Sequence, residues 1–141
     1  MTKINVGRVV LGGLVAGLVL TILEYVLNEP ILGKQWETAM AALNQPPISG
    51  GTLAWYVVLT FILGIAVVWL YAAIRPRFGA GPKTAIITGL AVWFFIWLWS
   101  FGGQMATMDL FPIKLVWISI VWGLFEVPIA TLVGAWLYKE G

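Results

Sequence analysis

The chain has 141 residues, of which 61% are hydrophobic and 10% charged; its formal net charge is +2 and its mean hydropathy +0.96. Soluble domains are nearer about 45–50% apolar and about 25% charged, so the natural solvent for most of this surface is lipid. The chain contains no cysteine and no histidine. This excludes disulfides, thiolate catalysis and iron–sulfur ligation, and removes the usual general base near neutral pH. Its few charges form no basic patch for nucleic acid.

A spanning helix needs about 20 mostly apolar residues. The first candidate runs from Val6 to Asn28. Lys3 and Arg8 precede it, but the apolar run is too long for a signal peptide and has no small-residue cleavage site, so it reads as a retained span. Gly13, Gly17, Thr21, Glu24 and Asn28 share a stripe about 80° wide on the helix wheel. Small residues four apart predict close helix packing at Gly13 and Gly17.

The loop after Pro30 holds Leu32, Trp36, Met40 and Leu43 at helical spacing, with Lys34, Glu37, Thr38 and Asn44 mostly elsewhere around the wheel. That pattern predicts a short amphipathic helix lying at the membrane interface.

The second span is read as Leu53–Ile74 and the third as Thr84–Phe101. The segment between them, "IRPRFGAGPK", does not match the spacing of a phosphate-binding loop. Arg75, Arg77 and Lys83 suit contact with anionic headgroups there. In span three, "VWFFIWLWSF" sets Trp93, Trp97, Ser100 and Gln104 on one ideal helical face. This face is a candidate contact for a partner subunit or a flat cofactor such as a quinone or pigment, with lipid contact as the simpler alternative.

The fourth span is read as Ile113–Tyr138. Ser119, Gly123, Glu126, Ala130 and Gly134 form a second narrow stripe, with Gly123 and Gly134 as packing positions. Glu126 lies 12 residues from Lys114 and 13 from Lys139, near mid-depth. A charge there costs roughly 3 kcal/mol, so Glu126 is expected to be neutral or paired. Pro128 frees the carbonyl of Leu124. Glu126 therefore has two readings. It either satisfies the kink, by donating to a freed carbonyl or to Thr21 or Thr60, or it serves as a proton or ligand site. Glu24 is a second candidate carboxylate, but its expected depth and that of Asp109, near the outer surface, argue against contact with Glu126.

Pro30, the Pro76–Pro82 cluster, Gly102–Gly103 and Pro112 are read as helix stops. The expected fold is therefore all-α, a single domain over residues 1–141 made of four antiparallel transmembrane helices. The Lys and Arg residues divide six to two between the alternate ends, which predicts both termini on the cytoplasmic side of the inner membrane. "VVWLYAAIR" and "GAWLYKE" each place Trp-Leu-Tyr before a basic residue. Either two related hairpins or two independent aromatic belts produce that pattern.

The glycine-rich first span, "WLYAAIRPRFGAGPKTA" and the final "GAWLYKE" resemble a group of small uncharacterised bacterial four-span membrane proteins. The resemblance implies a fold and no activity. The functional expectation is a non-enzymatic accessory or scaffold subunit. It would pack laterally against other membrane proteins, as in a respiratory or photosynthetic complex, or against a second copy, and contact lipid, quinone or pigment. The alternative is a small proton-coupled transporter or channel using Glu126. No metal site is expected.

Overall fold

Asn5 begins the first helix: its side-chain oxygen accepts the Arg8 amide at 3.2 Å, one of the donors that a helix start leaves unpaired. In the computed structural model, which describes residues 3–140 apart from the Ala106 side chain, this helix is α1, Val6–Val26. It is followed by α2 (Gly33–Ala42), α3 (Gly50–Phe78), α4 (Pro82–Trp93), α5 (Gly103–Met108) and α6 (Ile113–Leu137). Four stretches are long and apolar enough to cross a membrane: Val6–Ile31, Gly50–Phe78, Pro82–Met105 and Ile113–Leu137. The protein is an all-helical, membrane-type bundle of four antiparallel helices.

Several expected stops do not stop the chain. Pro30 has no N–H to give, yet α1 runs on as a π segment, Leu27–Ile31, in which the Leu32 amide reaches back five residues to the Leu27 carbonyl at 2.8 Å. Pro76 lies inside α3. Gly102 ends a second π segment, Phe94–Gly102, and the helix passes through Gly103 into α5. Inside lipid an unpaired amide is costly, so a shift of hydrogen-bond register is favoured over a break. The turn between α3 and α4 is a real stop. Gly79 and Gly81 have φ of 92° and 127°, where side chains are strained, and Pro82 opens the next helix.

The amphipathic helix forms as α2. Leu32 and Ala39 are buried against Leu27 and Leu115, Trp36 packs on this cluster, and Lys34, Glu37 and Thr38 stay exposed.

Close backbone approach sets the bundle. A methyl group on Gly64 of α3 would stand 2.7 Å from the Gly17 Cα of α1, and one on Gly89 of α4 would stand 2.6 Å from the Pro128 Cα of α6. Gly134 of α6 rests on the Gly12 carbonyl of α1. The glycines of the two stripes therefore do not pack on each other. Gly13 and Gly17 receive α3 at Ile65 and Phe61, while α6 docks on the neighbouring α1 face of Gly12 and Ala16. Gly123, the other expected packing glycine on α6, receives the Trp97 indole. Helix α6 is the central element, with eleven buried residues including Glu126.

At the end carrying both termini, the Trp-Leu-Tyr repeats come together. Tyr71 and Tyr138 are buried and meet edge to face at 6.1 Å, while Trp69 and Trp136 point outward. The Tyr138 hydroxyl accepts the Asn5 amide at 3.2 Å. Arg75 lies over the Tyr138 ring at 5.5 Å and pairs with Glu140 at 3.3 Å, so it is turned into the protein, whereas Arg77 and Lys83 are exposed.

Replacing Gly64 by leucine forces α1 and α3 apart. Overpacking of this kind costs about 1–3 kcal/mol. Thermal unfolding in detergent should show a clear drop in midpoint for Gly64→Leu and little change for Gly103→Ala, whose added methyl group meets nothing within 4 Å.

Candidate functional site: a carboxyl-headed cleft

Glu126 sits on the buried face of α6 and is 1% exposed. One turn earlier, the Trp122 indole N–H donates to the Leu23 carbonyl of α1 at 3.2 Å. This bond sets the turn bearing Glu126 beside the turn bearing Glu24. The two carboxyls meet there, contrary to the separation in depth expected from their positions along the spans. A glutamate side chain spans enough of a helical turn to close that gap. Asp109 remains at the exposed end of α5.

Neither oxygen of Glu126 receives a hydrogen bond from a donor among the described residues. Neither Thr21 nor Thr60 donates to it. Thr21 donates instead to the Gly17 carbonyl at 2.7 Å, and Thr60 to the Tyr56 carbonyl at 2.9 Å. Gly89 of α4 lies against Pro128. Two carboxyl groups in contact offer only acceptors when both are ionised. A shared proton or a bound cation completes such a contact.

Glu24 is better held. Its Oε2 accepts from Asn28 Nδ2 at 2.8 Å, and the Tyr56 hydroxyl lies 3.4 Å away, a long contact. Asn28, on the first π segment, accepts in turn from the Trp36 indole of α2 at 2.8 Å. The chain Trp36–Asn28–Glu24–Tyr56 thus links α2, the first π segment, α1 and α3.

This chain heads a cleft of about 420 Å³ between α3 and the second π segment. Glu24, Asn28, Trp36 and Tyr56 line its polar end. Leu59, Leu63, Ile96, Trp97 and Phe101 line its apolar body. Leu59 and Ile96 are exposed on the flank of the bundle and form the mouth. Both π segments border this cleft, and such segments are frequent at functional sites. A second groove, of about 440 Å³ between α2 and the start of α6, carries Lys34 and Lys114.

The expected face of span three divides. Trp93 turns inward and donates to the Ile120 carbonyl at 2.8 Å, and Trp97 lies on Gly123. Ser100 and Gln104 are exposed. The wider π turn rotates residues after Trp93 away from the ideal wheel position. Among the described residues no three acidic side chains converge as metal ligands would.

Tyr56, Asn28 and Trp36 were not singled out as site residues by sequence. Asn28 shares the Glu24 stripe, which was the one available signal. Trp36 read only as part of the apolar face of α2, and only the folding of α2 and α3 onto α1 joins it and Tyr56 to the carboxyls.

Glu126→Gln places an amide donor against the Glu24 carboxyl. The added hydrogen bond contributes about 1 kcal/mol, so the unfolding midpoint should rise. A marked fall would show that Glu126 is held by contacts other than these. No family model matches the chain, and neither a curated protein nor a solved structure does at a significant level.

Proposed function

We propose that this chain is a non-enzymatic integral membrane protein that binds an amphiphilic molecule, a lipid or an apolar cofactor with a polar head. The observation that carries this reading is the flank-opening cleft with polar groups at one end and apolar walls along its length. Its volume falls within the usual range for small-molecule sites, about 300–1,000 Å³. With the termini in the cytoplasm, as the distribution of lysine and arginine predicts, the site lies in the outer leaflet. The exposed Phe94, Phe95 and Trp99 on the same span suit contact with lipid or with neighbouring membrane subunits, the lateral role expected of an accessory protein.

Leu63→Trp fills the cleft body. Native mass spectrometry after mild extraction should find an amphiphile retained by the wild-type protein and lost from Leu63→Trp. Equal retention by both proteins refutes the proposal.

A second reading, proton-coupled transport, draws on the contact between Glu24 and Glu126 beside the proline inside α6. Carboxyls at mid-depth next to interrupted helices suit such pathways. In proteoliposomes, wild-type protein should then speed the collapse of an imposed pH gradient, and Glu126→Gln should not. Identical rates for the two proteins exclude this route.

A further inference from the structure

The donors and acceptors around the cleft define its ligand more narrowly. Resting on the binding proposal above, we infer that the cleft selects an amphiphile with an alkylammonium head, seated against Glu24, behind which Glu126 is buried.

Five polar side chains at the cleft have their donors committed. Asn28 Nδ2 serves the Glu24 carbonyl and Oε2, Trp36 serves Asn28, and Tyr56 points to Glu24. Thr60 serves the Tyr56 carbonyl and Ser119 the Leu115 carbonyl. The unused capacity is on the acceptor side. Both oxygens of Glu126 lack a donor although the residue is 1% exposed, and its carboxyl is directed at that of Glu24, which heads the cleft. A buried acceptor without a donor costs free energy that a ligand carrying N–H groups or positive charge recovers.

The surroundings favour an organic cation. No lysine or arginine lines the cleft among the described residues, so a phosphate or carboxylate head would meet like charge with no compensation. A divalent metal ion prefers six or more oxygen ligands, about three times what two monodentate carboxyls give. Trp36, Tyr56 and Trp97 supply aromatic faces to an ammonium group, and Leu59, Leu63, Ile96 and Phe101 receive its chain.

The test uses the full chain in lipid nanodiscs and four photoactivatable amphiphiles that share one alkyl chain. Their heads are trimethylammonium, hydroxyl, phosphate and phosphocholine. Labelling of residues 59–63 and 96–101 is mapped by mass spectrometry and normalised to labelling at Leu14 and Leu18, exposed on α1, which corrects for partitioning. The trimethylammonium probe should label the cleft about ten-fold more than the hydroxyl or phosphate probe, the ratio expected of a desolvated cation held by a carboxylate and aromatic rings. Glu24→Gln should bring trimethylammonium labelling down to the level of the hydroxyl probe on the same variant, whereas a folding defect would abolish labelling by both.

If phosphocholine labels as strongly as trimethylammonium, the ligand is a membrane lipid; if it does not, the ligand is a free amine amphiphile. Either result keeps the assignment. Equal or stronger labelling by hydroxyl or phosphate overturns the ammonium head while leaving a binding cleft. Trimethylammonium labelling that survives Glu24→Gln overturns it as well. Absence of cleft labelling by all four probes overturns both the inference and the binding proposal.

Discussion

The backbone contacts made by glycine determine the shape of this bundle. Gly12, Gly13, Gly17, Gly64, Gly89 and Gly134 lie at mid-depth or toward the end that holds the termini. Where they sit, helix axes approach until backbone touches backbone or side-chain stem, and dispersion replaces the hydrophobic drive that lipid cannot supply. Toward the α2 end the contacts pass to Trp36, Tyr56, Trp93, Trp97 and Phe101. Large rings hold helices farther apart. The cleft between α3 and the second π segment lies at that end.

Placing an acid pair at the head of that cleft, with Glu24 facing it, has an energetic logic. Each glutamate alone in lipid would need its own compensation. Glu24 obtains it from Asn28 and, more distantly, Tyr56, with Trp36 holding Asn28 in place. Glu126 obtains none from protein donors. Strain of this kind is retained at sites where a ligand or proton relieves it. The Trp122 bond to the Leu23 carbonyl matters because it ties the two helices beside the pair. With α1 and α6 fixed relative to each other there, the two carboxyls are held side by side.

Much of the fold was legible from composition and period. Four apolar runs, the small-residue positions and the amphipathic face of α2 follow from side-chain chemistry at fixed helical spacing. Helix ends were less legible. Pro30, Pro76 and Gly102–Gly103 carry strong local stop signals, but the helix runs through all three, and at Pro30 and Gly102 it does so by a shift of hydrogen-bond register. That same shift divided the Trp93–Gln104 face, since an ideal wheel assumes a constant turn. Of the site, Glu126 and Glu24 were visible as carboxylates in apolar helices. Their meeting was not, because it depends on the stagger of α1 against α6 and on side-chain reach. The partners of Glu24 were hidden for a related reason: Tyr56 and Trp36 are ordinary interface residues until α2 and α3 fold onto α1.

A cleft whose mouth opens on the flank of the bundle exchanges with the bilayer interior rather than with water. An apolar ligand arrives already desolvated along its chain, and only its head must change surroundings. Occupancy then follows the ligand's mole fraction in one leaflet. A site of modest intrinsic affinity can stay filled by a compound too dilute to measure in solution. Under the proposed binding role, it would empty when the composition of that leaflet changes.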